Sequence, residues 1–212
     1  MPYYQRQATL DKSLEAYWRL YGDIEISICD DGSPDPVLAP GCIVYSLPKK
    51  DYPLNPCVPI NIAVRQSTGD VVVITNPEIL HETPVLFRMQ RLLETDMDYV
   101  TASCWDRDRK DWLAGPRTQY GAKGREPVPP GGHFHFCAMM KRSLFEKAGG
   151  FDTDYRRGRG CDDNDWLWRL HSVGARFVHC DETVYHTKTA DAWRGLKSNA
   201  DLLRKKWGGV WQ

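Results

Sequence analysis

The chain alternates short apolar runs with amphipathic stretches along most of its length. Residues 24–29 alternate apolar and polar side chains, and residues 71–75 are a continuous apolar run, so we predict a half-buried strand and a strand covered on both faces. Apolar residues recur every three or four positions in 9–21 and in 85–93, which predicts helices. Strands that alternate with helices indicate an α/β sandwich whose sheet is mainly parallel in its first half.

The remaining predicted elements follow the same two patterns. We predict further strands at 42–47, 99–104, 134–140, 175–179 and 183–186, and further helices at 60–68, 142–148 and 190–207. Residues 105–132 are rich in glycine, proline and charge and have no periodicity, so we expect a long loop there, which in a compact domain is usually functional or mobile. A chain of 212 residues with these elements has the size of one domain.

A cluster of carboxylates opens the helix predicted near residue 162. Asp162, Asp163, Asn164 and Asp165 follow a basic, glycine-punctuated loop and precede an apolar helix face. Negative side chains are favoured there because unpaired N–H groups and the positive dipole end lie at a helix N-terminus. One aspartate suffices for a cap, so the cluster indicates carboxylates held at the mouth of a ligand site. Capping alone is the alternative.

Charge and composition exclude several classes of partner. The chain has 28 basic and 28 acidic residues, so no net field attracts nucleic acid, and we expect no nucleic-acid partner. No apolar run approaches the ~18 residues that a membrane span needs, which leaves only peripheral contact with a membrane. The seven cysteines form no C-x-x-C pair, so we predict free thiols and a cytoplasmic protein rather than a disulfide framework or a zinc site.

Two predicted strands run directly into acidic turns. D-D-G-S occupies 30–33 and N-P-E occupies 76–78. In open α/β sheets, ligands bind outside the carboxyl ends of the strands. We therefore expect both turns at one edge of the sheet, beside a ligand.

An ordered set of short motifs carries a family resemblance. P-Y-Y-Q-R at 2–6 is similar to a P-x-Y-N-R opening, D-D-G-S and N-I-A follow, and G-G-F-D at 149–152 precedes D-D-N-D at 162–165 and R-L at 169–170. The set resembles glycosyltransferase family 2, nucleotide-sugar enzymes of the GT-A fold, and its later motifs look like the related galactosyltransferase C-terminal region. The resemblance implies a GT-A sandwich with a central mixed, mainly parallel sheet.

The resemblance also implies an activity and its partners. One domain would span residues 1–212, with about 1–104 binding the nucleotide, 105–189 binding the acceptor and catalysing transfer, and 190–212 forming a C-terminal helix. A sugar would pass, with inversion, from a UDP-sugar to a glycan or glycolipid. An inactive sugar-nucleotide or glycan-binding module on the same fold and a nucleotidyltransferase are the alternatives.

Donor contacts are implied for motif residues of the first half. Asp30 and Asp31 would accept hydrogen bonds from the base and ribose, with Tyr3 against the ring. The alternative is an Asx turn, which one aspartate makes with its own backbone. The implied donor-binding residues are Pro2, Tyr3, Arg6, Asp30, Asp31 and Asn61.

Asn76-Pro77-Glu78 stands where the family has D-x-D, whose carboxylates bind a divalent cation, Mn²⁺ or Mg²⁺, at the donor diphosphate. Such hard ions prefer oxygen ligands; Glu78 offers a carboxylate, whereas Asn76 offers only a neutral carbonyl, which weakens the donor set. His186 matches a histidine that completes the metal shell in relatives, and a structural histidine is the alternative. The arginines between 156 and 159 either bind the diphosphate in compensation or form a solvated charge run.

The resemblance assigns the chemistry to the 162–165 cluster. Asp163 matches the general base that deprotonates the acceptor hydroxyl, a role that a partly desolvated carboxylate with a raised pKa performs. Asp162 replaces a glutamate and would position the acceptor or the loop, whereas Asp165 would only cap the helix. Residues 131–135, Trp105 and Trp112 are predicted to line the sugar or acceptor pocket.

Relatives have a complete apolar strand before the P-x-Y segment, and here Met1 occupies its last residue. That strand lies centrally in the sheet, so its loss would leave backbone groups of two neighbouring strands unpaired. We therefore expect that the natural start lies upstream of Met1, or that this chain is a fragment.

Overall fold

The computed structural model describes residues 1–50, 55–117, 132–187 and 197–208. Helices and strands alternate along these ranges, and a short 3-10 turn covers Thr153–Arg157. The helices are α1 (Gln7–Tyr21), α2 (Cys57–Gln66), α3 (Val85–Leu93), α4 (Arg142–Lys147), α5 (Asp162–Ser172) and α6 (Ala200–Trp207). The strands are β1 (Pro2–Tyr3), β2 (Ser27–Asp30), β3 (Ile43–Ser46), β4 (Val71–Thr75), β5 (Ile79–Leu80), β6 (Tyr99–Asp106), β7 (Asp111–Ala114), β8 (Cys137–Lys141) and β9 (Phe177–His186).

The strands form two sheets instead of the single sheet that the sequence predicts. β1, β2 and β3 make a parallel sheet, in which Pro2 lies opposite Cys29. The second sheet has the order β4-β8-β6-β9-β5, with β7 paired to β6. β8 runs antiparallel between β4 and β6, whereas β6 and β9 are parallel. The mixed α/β architecture is therefore confirmed, with parallel pairing at β1–β3 and at β6–β9.

A cavity of about 250 Å³ lies between the two sheets, beside β2 and β4. Met1, Ser27 and Val72 are among the residues that line it. The backbone nitrogen of Met1 donates to the carbonyl of Ser27 at 2.9 Å. The P-x-Y segment that follows Met1 forms β1, which pairs with β2. Within the described residues, no ladder joins β2 to β4.

Helix α1 bridges the two sheets. Its buried face carries Leu10, Leu14 and Tyr17 at the three- and four-residue spacing of an amphipathic helix. From the buried part of α1, the Ser13 hydroxyl donates to the Pro77 carbonyl at 2.7 Å, and the Tyr17 hydroxyl donates to the carbonyl of residue 79 at 3.0 Å. α1 therefore lies across the N-P-E turn that follows β4.

Several predicted elements differ from the observed ones. The expected loop at 105–132 contains the end of β6 and the whole of β7, which form a hairpin with Trp105 opposite Trp112. Charged residues at its tip conceal the alternation that would have indicated strands; residues 118–131 of the loop lie outside the described residues. The two strands predicted at 175–186 are one strand, β9, with an irregular register beside β6. In the expected 190–207 helix, 197–199 are not helical and 188–196 are not described.

All seven cysteines fall in the described ranges, where none of them is paired in a disulfide. Burial raises the pKa of most of them, including Cys29, Cys57 and Cys180. No helix in the described ranges has the length and apolar character that crossing a membrane requires.

Candidate active site

A cavity of about 300 Å³ lies where the strand-end turns meet the start of α5. It collects residues that are far apart in the sequence, which is the arrangement expected if the acidic clusters share one ligand. From the first half of the chain it is lined by Pro2, Tyr3, Arg6, Asp31, Asn76 and Glu78. From the second half it is lined by His135, Arg159, Asp162 and Asp163. Three predicted site residues, Asp30, Asn61 and His186, are not among those that line it.

The two aspartates of the D-D-G-S turn have different surroundings: Asp30 stabilises the turn, and Asp31 lines the cavity. Asp30 Oδ1 accepts hydrogen bonds from the Ser33 backbone N–H at 2.9 Å and from its hydroxyl at 2.7 Å, so Asp30 forms the Asx turn. Asp31 lines the cavity, and its Oδ1 lies 2.5 Å from Nζ of Lys50. Gly32 has φ +80°, and a Cβ there would lie 2.2 Å from the Pro48 carbonyl oxygen, so the turn requires glycine.

The second turn carries a buried carboxylate that already has a cationic partner. Glu78 Oε1 forms an ion pair with the guanidinium of Arg6, whose side chain comes from the N-cap of α1. Side-chain exposure is 8% for Glu78 and 21% for Arg6. A buried carboxylate without a counterion is strongly unfavourable, so Arg6 compensates the charge of Glu78. The other oxygen, Oε2, is buried and has no hydrogen-bond partner in the described structure.

His186 does not line the cavity, although it lies opposite Ile79, the residue after Glu78, in the β5–β9 ladder. Its Nδ1 lies 3.3 Å from Oδ2 of Asp106, and its ring packs edge-on to Phe136. Within the ranges that the structure covers, no three His, Cys, Asp or Glu side chains are arranged to hold a metal ion. Mn²⁺ and Mg²⁺ require several oxygen ligands, and this turn offers one carboxylate bound to an arginine and one neutral amide. The donor set therefore does not fit the divalent cation that the family resemblance implies.

At the start of α5, the two candidate catalytic carboxylates differ in environment. Asp162 is buried, its Oδ1 accepts from Asn55 Nδ2 at 2.8 Å, and its burial raises its pKa. Asp163 is half-buried, and its Oδ1 accepts from the backbone N–H of Asn164 at 2.8 Å. Neither is the N-cap, which is Cys161 with φ +67° and no side-chain cap bond. Asp163 nevertheless accepts from an N–H of the first helical turn, so the cluster both satisfies the helix N-terminus and lines the cavity.

Asn61 positions α5 from outside the cavity. Its side chain brackets Phe151, because Oδ1 accepts from the Phe151 N–H at 2.9 Å and Nδ2 donates to the Phe151 carbonyl at 2.8 Å. Gly150 has φ +68°, and a Cβ there would lie 2.7 Å from Asn61 Oδ1. The G-G-F-D turn is therefore fastened to α2, and through it the approach to Asp162 is fixed.

Two further residues position the loop before α5 and the helix itself. No sequence pattern indicated Asn199, and Asp165 was expected only to cap the helix. Asn199 Nδ2 donates to the Tyr155 and Gly160 carbonyls, each at 2.9 Å, and so fixes the loop before α5. Asp165, predicted to cap, is fully buried and accepts from Arg169 Nε and Trp207 Nε1, both at 2.8 Å. Of the three loop arginines, only Arg159 lines the cavity. No sequence pattern linked Asn199 to this loop, since the pairing spans about forty residues.

The remaining wall of the cavity comes from the segment before β8. Phe134, His135 and Phe136 line it. Burial lowers the pKa of His135 to about 4, so the imidazole is neutral at physiological pH, and its Nδ1 has no hydrogen-bond partner among the described atoms. Trp105 and Trp112 instead pack against each other at a centroid distance of 5.0 Å and do not line the cavity. Their predicted contact with the acceptor stays a prediction.

Comparison with known proteins identifies the family. The sequence model described as "Glycosyl transferase family 2" matches residues 1–149. The chain belongs to this family. The match ends before α5, so the structure, and not the family match, brings Asp162 and Asp163 to the cavity. No curated protein sequence among those compared matches the chain.

Solved glycosyltransferase structures share the GT-A fold of this family-2 chain. Mannosyltransferase PcManGT from Pyrobaculum calidifontis, solved with GDP-Man and Mn²⁺, aligns with 99% of this chain at a TM-score of 0.61 and 21% identity. GalNAc-T7 with UDP, GalNAc and Mn²⁺ aligns with 99% at a TM-score of 0.71 and 12% identity. TarS from S. aureus aligns with 88% at 0.65 and 13%. The chain spans 60%, 48% and 36% of these three proteins, respectively.

Proposed function

We propose that this family-2 chain is a glycosyltransferase that moves a sugar, with inversion, from a UDP-sugar to a hydroxyl of a glycan or glycolipid. The observation that carries the proposal is that Asp163 lines the same cavity as the two strand-end turns. Carboxyl ends of strands bind the nucleotide in open α/β sheets, so a carboxylate across the same cavity faces the sugar end of such a donor. In this proposal, the half of the chain before residue 105 binds the donor and the half after it provides the acceptor side.

Asp163 acts as general base in the proposed reaction. Its carboxylate takes the proton of the acceptor hydroxyl, whose oxygen forms a bond to the anomeric carbon from the face opposite the leaving group. The bond between that carbon and the phosphate oxygen breaks, and the nucleoside diphosphate leaves with the electron pair. The half-buried environment of Asp163 keeps the carboxylate accessible to a substrate.

Two buried groups beside Asp163 suit acceptor recognition. Asp162 is held by Asn55, and His135 is neutral with an unpartnered Nδ1, so both present polar atoms that are desolvated before a sugar arrives. Such groups discriminate well, because a ligand that fails to satisfy them leaves them unpaired. We assign the sugar and acceptor hydroxyls to this side of the cavity and the base and ribose to Tyr3 and Asp31.

The free thiols and the absence of a spanning helix from the described ranges are compatible with a cytoplasmic enzyme that meets its acceptor in solution or at a membrane surface. The competing candidate is an inactive module that binds sugar nucleotides or glycans on the same fold. The weak donor set of the N-P-E turn favours that alternative, since family members use this turn at the diphosphate.

Release of UDP from UDP-glucose, UDP-galactose and UDP-N-acetylglucosamine tests the proposal. We expect the full chain to release UDP from at least one of them, slowly to water and faster with a glycan acceptor, and Asp163→Asn to bind the donor without turnover. Asp154→Asn is the matched control, because it changes an exposed carboxylate outside the cavity and should retain activity. If the wild-type chain and both variants bind the donor and none of the three turns it over, the protein is the inactive module instead.

A further inference from the structure

The backbone before α1 is shaped to direct Arg6 into the cavity. Gln5 has φ +47°, a conformation that costs a non-glycine residue of order 1 kcal/mol and that persists only where the surroundings enforce it. The Gln5 N–H donates to the Ser33 hydroxyl at 3.0 Å, which fastens this residue to the D-D-G-S turn. Arg6 follows as the N-cap of α1, and its side chain lines the cavity.

Glu78 holds the Arg6 side chain and leaves part of it available. A guanidinium carries five N–H donors in a planar fork, and the ion pair joins Nη1 to Oε1 of Glu78. With 21% of its side chain exposed, Arg6 faces the cavity with its remaining donors. Guanidinium groups bind phosphate bidentately, which matches the two phosphates of a nucleoside diphosphate.

The surroundings of Arg6 favour an anion. The first turn of α1 contains no acidic residue, and no side chain caps it, so the positive end of a 15-residue helix adds to the charge of Arg6. The nearby carboxylate of Asp31 is neutralised by Lys50. Asp31 and Glu78, the two carboxylates on the strand-end side of the cavity, therefore already have cationic partners before a diphosphate binds.

We propose that the Arg6 guanidinium, oriented by Glu78, binds the donor diphosphate and replaces the divalent cation at this turn. The inference rests on the proposed function, because it assigns the charge partner of the same donor. It follows from the donor set: the carboxylate that would hold a metal ion holds an arginine, and the second position is an amide. Glu78 is therefore a positioning residue, and Arg6 contacts the substrate.

The test is the affinity for UDP and GDP, measured by calorimetry on the full chain with Mn²⁺ and with EDTA. For whichever nucleotide binds, we expect the dissociation constants with Mn²⁺ and with EDTA to agree within about twofold. Arg6→Met should weaken binding by roughly 10- to 100-fold, the size of a lost hydrogen bond to a charged group. Arg6→Lys, which keeps the charge but loses the planar fork, should lie between these values.

Two further variants separate binding from folding. Arg6→Met leaves Glu78 buried and unpaired, so the double variant Arg6→Met/Glu78→Leu removes both charges and should fold while binding UDP as weakly as the single variant. Arg88→Met is the matched control, because it breaks the exposed Arg88–Asp181 pair away from the cavity and should leave affinity unchanged. Thermal unfolding of each variant measures the structural cost independently of affinity.

The outcomes distinguish this inference from the proposed function. Nucleotide binding that falls tenfold or more in EDTA overturns the replacement of the metal while leaving sugar transfer intact. Unchanged affinity in the folded double variant overturns the contact of Arg6 with the diphosphate. If neither UDP nor GDP binds in either condition, both the inference and the proposed function fail.

Discussion

The strand-end turns and the start of α5 carry carboxylates in the same cavity, but they balance charge in opposite ways. Asp31 and Glu78 each have a basic partner, Lys50 and Arg6. Asp162 is equally buried and has only an amide partner, Asn55, in addition to backbone groups, so burial raises its pKa. A carboxylate whose charge is compensated is suited to binding and orienting a ligand. A carboxylate whose pKa is raised by burial is suited to proton transfer. The comparison distinguishes the side of the cavity that we propose binds the donor from the side that we propose is catalytic.

The largest effect should be a loss of turnover at the catalytic side. Asp163→Asn removes the base, and we expect kcat to fall by about 10²–10⁴ with the donor affinity retained. Lys50→Met is the counterpart on the donor side: it removes the ion-pair partner of Asp31 and should weaken donor binding more than it lowers kcat. Steady-state kinetics with the best UDP-sugar give both values. Equal losses of kcat and affinity in both variants would remove the distinction between the sides.

The donor side also depends on a turn that admits only glycine. Gly32→Ala places a Cβ against the Pro48 carbonyl at positive φ and should destabilise the protein by about 3 kcal/mol. Gly174→Ala is the matched control, since Gly174 has the same φ of +80° with no atom near its Cβ position, and should cost only about 1 kcal/mol. Urea unfolding of the two variants isolates the cost of the contact. Equal costs would show that the backbone relaxes away from Pro48.

The Arg6–Glu78 pair should show strong coupling. Arg6→Met leaves a buried carboxylate unpaired and should cost about 2 kcal/mol, below the ~3–5 kcal/mol of a fully buried pair because Arg6 is partly exposed. Adding Glu78→Leu should recover most of that loss, which a double-mutant cycle by urea unfolding measures. Additive costs would mean that the two side chains act independently, and the charge balance of the donor side would need another explanation.

The smallest predicted effect has the opposite sign. Asp162→Asn should stabilise the protein at pH 7 by about 1 kcal/mol, because the ionised carboxylate is disfavoured by burial while an asparagine carbonyl still accepts from Asn55. A raised folded-state pKa contributes stability below the unfolded value of 3.8 that is lost as the pH rises through the folded value. The gain should therefore vanish near pH 3. Destabilisation at pH 7 would show that Asp162 is compensated like Glu78.

Much of the fold followed from the sequence because its signals are local. The amphipathic spacing of α1 and the apolar run of β4 predicted these elements, and the acidic turns after β2 and β4 predicted the edge at which the cavity lies. The Arg6–Glu78 pair could not be predicted, since it depends on how α1 packs across the turn after β4. The positioning of the loop before α5 by Asn199 is likewise a contact between distant segments without a sequence signal.

The cavity takes residues from both sheets. Arg6 and Asp31 belong to the three-stranded side, while Asn76 and Glu78 follow the edge of the larger sheet. In the described part of the chain, side-chain contacts and α1 join these sides, and no ladder crosses between β2 and β4. The Arg6–Glu78 ion pair therefore ties the N-terminus of α1 to the turn after β4, across the junction of the two sheets.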